Sequence, residues 1–415
     1  MATAVQPKAA ARLSPFWLLF ILTGLNLFNY LDRYILPAVL TPLESELHIK
    51  DAESGRINSA FMLGYFLTAP FFGYLGDRIS RKWLIAFGIL IWSAGTVLTG
   101  FATGIGVLLF FRILVGLGEA SYATISPGLI SDAYEPERRN NALTIFYVAI
   151  PVGGALGYGL GGFIEHFFGW RNAFLCAGLP GLVLALVLLP FREPERGQAD
   201  GQTVKRPGLR DFLGMFRLPN FHLVVWGYVA YTFSLGAFAY WGPSYLVRVH
   251  GMANQTAALF FGAVLLGAGL VGTFLGGFAA TAWHKRTPAA YALVLGISVL
   301  LAVPVSFAAF LTSNTMAAMS CLAGAMFLLF LSTGPVNTLI LESVPVNLRA
   351  SAMATSIFMI HLFGDFRSSE IVGRLSDYWQ SLQKAVLILP AVLLIASVLW
   401  TVLALKTCRT GTKTG

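Results

Sequence analysis

The amino-acid sequence predicts an all-α membrane protein with twelve transmembrane helices in two pseudo-symmetric bundles of six. Its composition is too apolar for a water-soluble chain, because 56% of the 415 residues are hydrophobic and only 11% are charged, against about 25% charged residues in an average soluble domain. Apolar runs of about 20 residues recur along the chain, and each is long enough to cross a bilayer core as a helix. Helices are expected because backbone polar groups inside a membrane must be hydrogen-bonded within the protein.

The apolar runs follow one another with short polar connections, and each predicts one span. The fifth and eighth runs are rich in glycine, which predicts that these helices pack closely against their neighbours. The predicted spans are residues 15–40, 55–76, 83–102, 106–131, 141–165, 170–191, 221–247, 256–281, 289–311, 316–341, 350–373 and 384–405.

A polar stretch of residues 192–220, which contains prolines, glycines and mixed charges, separates the first six spans from the last six. We therefore predict an N-terminal bundle of residues 1–191, a cytoplasmic linker of residues 192–220 and a C-terminal bundle of residues 221–415. Division into two equal sets of spans suggests an internal repeat, as in many transporter folds.

Short motifs at the ends of spans support the repeat. Gly73 and Asp77, just before Arg81, recur in the second half as Gly277 and Thr281, again after a second span. The acid is lost in the second copy. An acid and an arginine seven residues apart precede both the fifth and the eleventh span. We interpret these motifs as a cytoplasmic gating set, which comprises Gly73, Asp77, Arg78, Arg81, Asp132, Arg139, Glu342 and Arg349.

The distribution of Lys and Arg predicts the orientation. The loops on the side of residues 73–82 carry most of these residues, and the opposite loops carry few, such as Lys50 and Arg248. Since cytoplasmic loops are enriched in Lys and Arg, we expect both termini in the cytoplasm. The formal net charge of +9 has the same origin, so we predict no nucleic-acid partner.

The sequence also disfavours several other classes of protein. Its three cysteines, Cys176, Cys321 and Cys408, have neither paired nor metal-ligand spacing. We find no metalloprotease motif, no serine-hydrolase motif and no phosphate-binding loop. We therefore expect no cofactor, no metal, no enzymatic activity and no ATP-driven pump.

Ionisable residues inside predicted spans are costly and are functional candidates. Asp32 and Arg33 lie in the outer half of span one. Arg112 lies at a similar level of span four, and Glu119 lies two helical turns deeper on the same face. His361 and Asp365 are four residues apart on span eleven, also near mid-depth. Charges from three spans at similar depth suggest a shared, hydrated central cavity.

Two interpretations of these charges remain open. In the first, Asp32 and Glu119 exchange protons, with His361 and Asp365 as further candidates, because a desolvated carboxylate takes up a proton more readily. Arg33 and Arg112 would then bind a phosphate or carboxylate, which guanidinium groups do in bidentate fashion. In the second, Asp32, Arg112 and Glu119 form an internal ion-pair set that only holds the first bundle together.

Several of these segments resemble known families. The pattern Gly-x-Leu-x-Asp-Arg-x-x-Arg-Lys at residues 73–82 resembles the signature loop of the major facilitator superfamily. Four further segments, 29–33 (Asn-Tyr-Leu-Asp-Arg), 112–122, 150–153 and 361–365 (His-Leu-Phe-Gly-Asp), together resemble the Spinster family over nearly the whole chain.

The resemblance implies a major facilitator fold and proton-dependent transport of sphingosine-1-phosphate or a lysophospholipid by alternating access. It implies that Asp32 and Glu119 couple protons, and that Arg33 and Arg112, with Glu119 and Tyr122, line the site of a polar head group. The short loops and the lack of long tails suggest a bacterial member in the inner membrane. We expect protons, an amphipathic lipid and membrane lipids as partners, and a monomer.

Two rival functions follow from the same residues. A carrier of small organic anions or drugs would have a similar span-one motif, and competition by lysolipids would separate the two substrates. A lipid sensor or scaffold that does not transport would show no flux in liposomes.

Arg367 departs from the resemblance, because the Spinster pattern continues with uncharged residues at this point. A cation within a span predicts a partner, and Asp365, Glu370 or an acid of the cavity are the candidates. One interpretation is that Arg367 biases the conformational equilibrium of the transporter.

Overall fold

The computed structural model describes residues 14–76, 78–188, 213–345 and 348–411, and the described residues form helices joined by short connections. The helices of the first half are α1 (Pro15–Ala38), α2 (Leu40–Leu47), α3 (Asp51–Gly76), α4 (Arg81–Thr99), α5 (Ile105–Ala133), α6 (Pro136–Phe168) and α7 (Trp170–Leu188). Those of the second half are α8 (Pro219–His250), α9 (Asn254–His284), α10 (Ala290–Leu311), α11 (Thr315–Phe330), α12 (Thr333–Glu342), α13 (Arg349–Met359), α14 (Phe366–Trp379), α15 (Leu382–Val386) and α16 (Ile388–Gly411).

Twelve spans can be assigned to these helices. Eight segments within the described residues are long and apolar enough to cross a membrane: α4, α5, most of α6, α8, α9, α10, α11 with α12, and α15 with most of α16. Most of α7 is a shorter apolar helix. The remaining spans, α1, α3 and α13 with α14, contain more charged and polar residues and are therefore less apolar.

Three predicted spans are more irregular than a single helix. The tenth is broken between α11 and α12, where Pro335 lies in the first turn of α12, a position that tolerates proline. The eleventh continues to Trp379 and contains a π-helical turn, Ile360–Asp365. The twelfth begins with the short helix α15.

Most of the predicted linker, residues 192–212, lies outside the described residues, so the domain boundary stays a prediction.

Glycines allow the helices of the N-terminal bundle to pack closely. A side chain at Gly116 of α5 would collide with the carbonyl oxygen of Phe61 on α3, and one at Gly64 of α3 would collide with that of Ile113. These two helices therefore pack backbone against backbone, which fixes the position of α5 and its charged residues beside α3.

Two helix pairs pack backbone to backbone across the bundles. Helix α6 packs against α9, where Gly262 faces the carbonyl oxygen of Ala155, as the glycine-rich fifth and eighth spans predict. Helix α3 packs against α14, where Gly55 faces Ser369 and Gly373 faces Asp51, in both cases backbone to backbone. Below, the inner face is the one with residues 73–82, and the outer face is the opposite one.

Candidate functional site

Four charged residues of the N-terminal bundle meet between α1 and α5. The Arg33 Nε atom lies 2.7 Å from Glu119 Oε2, and Arg112 Nη1 lies 3.9 Å from Asp32 Oδ1. Side chains of a helix lean toward its N-terminus, so Arg33 reaches inward along α1 to the level of Glu119. The four residues therefore form two adjacent ion pairs, and the pairing of Arg33 with Glu119 was not part of either interpretation from the sequence.

These pairs are almost completely removed from solvent, yet they are not saturated with hydrogen bonds. Asp32, Arg112 and Glu119 are each at most 1% exposed. Thr96 donates a hydrogen bond to Asp32 Oδ2, but Asp32 Oδ1, Glu119 Oε1 and the Nε and Nη1 atoms of Arg112 have no hydrogen-bond partner among the described residues. Buried charged atoms without partners are energetically costly, so the site retains capacity to bind a proton or an anion.

Arg33 is the member of the cluster that reaches toward the space between the bundles. Its side chain is 16% exposed, and aromatic rings surround its guanidinium group. The Cζ atom lies 4.9 Å from the ring centre of Tyr30 and 5.0 Å from those of Phe61 and Tyr65. Cation–π contacts of this kind stabilise a partly desolvated arginine.

The C-terminal bundle contributes a hydrogen-bonded pair of ionisable residues from the π-helical turn. His361 Nδ1 lies 3.1 Å from Asp365 Oδ2, and the two side chains are 22% and 12% exposed. Single π-helical turns within α-helices are frequent at functional sites. The His361 ring packs 5.9 Å from the ring of Tyr65, which also contacts Arg33. Tyr65 therefore connects the polar residues of the two bundles at mid-depth.

Two residues do not have the neighbours that the sequence analysis predicted for them. The Tyr122 hydroxyl donates a hydrogen bond to the carbonyl of Leu22 on α1, and its ring packs on Trp92 and Phe146. Tyr122 thus belongs to the interior of the N-terminal bundle, and its predicted contact with substrate stays a prediction. Arg367 is exposed and has none of the predicted acidic partners among the described residues.

At the inner face, the gating set is only partly described. Asp77 lies outside the described residues, as do the side chains of Arg139 and Arg349. Arg81 binds Asp132 with a distance of 2.6 Å between Nη1 and Oδ2, and both residues belong to the N-terminal bundle.

The other described members of the gating set contact local groups or solvent. Arg78 donates to the carbonyl of Tyr74 at 3.2 Å and lies over its ring. Gly73 lies beside Thr124 of α5, and Glu342 is exposed. The pairs of Asp132 with Arg139 and of Glu342 with Arg349 stay predictions.

The outer face contains a polar network that sequence reasoning missed. Arg248 of α8 donates two hydrogen bonds to Asp51 of α3, of 2.7 and 2.9 Å. Asp377 of α14 accepts from the backbone N–H groups of Asp51 and Ala52, at 3.2 and 2.9 Å. A carboxylate of one bundle therefore caps the N-terminus of a helix of the other bundle. This contact is favourable because the N-terminus is the positive end of the helix dipole. The only signal in the sequence is that charges of both signs occur at the outer ends of spans.

Further contacts join the bundles from mid-depth to the outer face. The Thr41 hydroxyl donates to that of Ser244 at 3.1 Å, and the Asn254 amide donates to the carbonyl of Ala38 at 2.9 Å. The contacts of Gly262 and Gly373 lie in the same outer half. The outer ends of the bundles are therefore closed against each other in this conformation.

Comparison with known proteins identifies the class of membrane protein. The family model described as Major Facilitator Superfamily matches residues 22–365, which is most of the chain. The chain therefore belongs to this superfamily and is a multi-pass transporter, not an enzyme. This confirms the predicted fold class and the predicted membership of the superfamily.

Within the superfamily, the chain belongs to the Spinster family. It is 34% identical over 395 residues to Protein spinster of Drosophila melanogaster, which covers 90% of this chain and 64% of that relative. It is 35% identical to Protein spinster homolog 1 of Homo sapiens, covering 86% of this chain and 72% of the relative. It is 32% identical to the sphingosine-1-phosphate transporter SPNS2 of Danio rerio, covering 87% and 76%.

Solved structures agree with this assignment. A crystal structure of a bacterial homologue of the human lysosomal transporter Spinster, in an inward-facing and occupied conformation, superposes with a TM-score of 0.85 at 25% identity. The alignment covers 96% of this chain and 98% of that one. A D-xylose–proton symporter superposes with a TM-score of 0.74 at 17% identity, over 94% and 97% of the two chains, and this second likeness shows the fold alone.

Proposed function

We propose that this transporter moves an amphipathic lipid with a phosphate head group, such as a lysophospholipid or a sphingosine-1-phosphate-like lipid, in a proton-coupled cycle of alternating access. The observation that carries the proposal is the contact of Arg33 with Glu119 inside an aromatic cage, opposite His361 and Asp365. Sphingolipid transport by relatives of the family supports the substrate class.

The Arg33–Glu119 pair suggests how a proton and an anion would be coupled. In this structure the carboxylate of Glu119 neutralises Arg33. When Glu119 accepts a proton, Arg33 loses its counter-charge inside a poorly hydrated site and becomes a stronger binding group for phosphate. By the reciprocity of coupled equilibria, phosphate bound at Arg33 strengthens proton binding at Glu119. The pair therefore favours movement of proton and anionic head group together.

The neighbouring groups have supporting roles in this proposal. Asp32 faces Arg112 and has a free Oδ1 atom among the described residues, so it can exchange a second proton. His361 and Asp365 lie on the opposite bundle and can receive a proton or the cationic part of a zwitterionic lipid. Rocking of the bundles about this mid-depth site would expose it to each side of the membrane.

Topology and gating belong to the same proposal. We place both termini in the cytoplasm and the chain in a bacterial inner membrane as a monomer, with residues 1–191 and 221–415 as the moving bundles. The inner gate would use the residues of the signature loop and its counterparts, including Asp77, Arg139 and Arg349. Arg367 would influence the balance between the inward- and outward-facing states.

The test is flux of labelled lysophospholipid and sphingosine-1-phosphate in proteoliposomes, with and without a pH gradient. Asp32→Asn and Glu119→Gln should each abolish the response to the gradient. A matched control is Glu53→Gln, because Glu53 accepts from the backbone of Lys50 within one bundle at the outer end of α3, away from the site. Gradient-dependent flux that survives both substitutions would remove the two acids from the mechanism.

A second candidate function is transport of a small organic anion, because the guanidinium group of Arg33 can bind a carboxylate as well as a phosphate. Lysolipids should then fail to compete with the transported anion. No flux of either class by well-folded protein would favour a lipid sensor or scaffold.

A further inference from the structure

Helix α14 and the π-helical turn before it carry a stripe of exposed side chains. Phe363, Arg367, Arg374 and Tyr378 are spaced by four, seven and four residues, so they lie on one helix face. Phe363 is 50% exposed and Tyr378 is 81% exposed, and both arginines are exposed. The other faces of this segment are covered, because Gly55 of α3 meets Ser369 and Glu370, and Gly236 of α8 meets Asp365.

The two arginines of this stripe differ in their partners. Arg374 binds Glu370 on its own helix with a distance of 2.6 Å between Nη2 and Oε1. Arg367 makes no ion pair or hydrogen bond with the described residues, and its Cζ atom lies 5.4 Å from the ring of Phe366. Asp365 is occupied by His361, and Glu370 also faces Arg56 at 3.5 Å. Both nearby carboxylates therefore already contact other basic side chains.

The depth of Arg367 makes an unpaired charge costly. The preceding residue, Phe366, accepts a hydrogen bond of 2.6 Å from the Ser59 hydroxyl, and Ser59 lies eight residues from the outer end of α3. Eight residues of helix correspond to about 12 Å, and half of the hydrocarbon core is about 15 Å thick, so Arg367 lies only slightly on the outer side of mid-depth. A phosphate group of the outer leaflet reaches a cation at this depth where the bilayer thins locally around it. A cation at such a position needs an anion, and on this face the bilayer is the available source.

We propose that Arg367 binds the phosphate of a diacyl phospholipid of the outer leaflet, at a site separate from the central cavity. A guanidinium group holds a phosphate through two parallel hydrogen bonds, and Phe363 and Tyr378 offer apolar and aromatic surface to the lipid on either side along the stripe. The occupant is a lipid of the bilayer rather than the transported lipid, because the stripe faces away from His361 and Asp365. Arg374, already neutralised by Glu370, contributes little.

Native mass spectrometry of the full chain in a mild detergent, titrated with diacyl phosphatidylglycerol, tests this site. We expect Arg367→Gln to weaken the tightest phosphatidylglycerol adduct about tenfold, as loss of a charge-assisted hydrogen-bonded contact implies. Arg367→Lys should weaken it less, because a lysine keeps the charge but not the bidentate geometry. The matched control is Arg374→Gln, on the same stripe, which should change the affinity less than twofold.

Three further ligands distinguish the sources of the phosphate. Diacylglycerol, which lacks the phosphate, should bind the wild-type chain and Arg367→Gln with equal affinity. The same is expected of inorganic phosphate. Unchanged phosphatidylglycerol binding in Arg367→Gln, or an equal loss in Arg374→Gln, would overturn the proposal. A loss of lysophosphatidylglycerol binding without loss of the diacyl lipid would assign Arg367 to the transported lipid and would also overturn it.

Discussion

The interface between the bundles has an inner and an outer end, and the two differ in whether the sequence contains a recognisable motif there. The inner face carries the recognisable motif, yet its described ion pair, Arg81 with Asp132, lies within one bundle. The outer face has no recognisable motif, yet Asp51, Arg248 and Asp377 join the two bundles there. The inner motif therefore identifies the family, whereas in this conformation the outer network holds the bundles together. Four substitutions test this difference.

The largest expected effect comes from Gly373→Val. A side chain at this position would collide with the carbonyl oxygen of Asp51 across the bundles, so the outer face could no longer close. With the three native cysteines replaced by serine, we expect a cysteine at Ser244, which is 1% exposed, to react more than tenfold faster with an impermeant maleimide. In the control Gly277→Val the added atom meets no neighbour within 4 Å, and labelling should not change. Slow labelling in Gly373→Val would contradict the close packing of α3 and α14.

A smaller effect is expected from Asp51→Asn, which keeps the shape of the side chain but removes its charge. Arg248 would lose a bidentate charged contact, and because its side chain is 33% exposed we expect a cost of only about 1 kcal/mol. Labelling of the cysteine at position 244 should rise about fivefold. Glu53→Gln is the control, since Glu53 accepts from the backbone of Lys50 within the same bundle. An equal response of both variants would show that the contact with Arg248 is not part of the outer closure.

The outer face should also respond to pH through Glu44. This residue lies on α2 between the first two spans, and burial raises its pKa to about 7, against about 4.3 for an ordinary Glu. Asp51 and Arg248 face it. If opening hydrates Glu44 and returns its pKa toward the ordinary value, the closed state binds the proton more tightly. Protonation then favours closure fully below about pH 4, and this contribution is lost as the pH rises through 7.

The measurement is the labelling rate at position 244 between pH 5 and 8, divided by that of a cysteine at the exposed Tyr378. The normalised rate should rise several-fold with pH in the otherwise wild-type chain and stay flat in Glu44→Gln. A rise that persists in Glu44→Gln would assign the pH response to another group.

The smallest effect on the outer face is expected from Arg81→Gln. Its partner Asp132 lies in the same bundle, so we expect labelling at position 244 to change less than twofold. The melting temperature should fall by a few degrees, because a largely buried charged contact is lost. The exposed Arg138 provides the control, Arg138→Gln, which should leave both quantities unchanged. Outer labelling that changes as much as in Asp51→Asn would show that the inner motif controls the outer face directly.

Sequence reasoning found the individual charges of the candidate site more readily than their partners. Asp32, Arg33, Arg112, Glu119, His361 and Asp365 are visible in the sequence because each interrupts an apolar span. The contact of Arg33 with Glu119 was not predicted, because it depends on the direction of the Arg33 side chain along α1 and on how closely α5 approaches. The predicted pairing of Arg367 failed for a similar reason, since Asp365 and Glu370 are engaged on other faces of their helix.

By itself, the sequence determined the number and order of the spans, the position of the signature loop and the family. Each of these depends on the apolar length of a segment or on a few neighbouring residues, and such properties are local. The tertiary structure decided which charges meet, that Asp377 caps α3 from the other bundle, and that Arg367 is exposed. These properties depend on how each helix is rotated about its axis and on contacts between residues that are distant in the sequence, such as Asp51 and Asp377. The close packing of glycine-lined helices determines both.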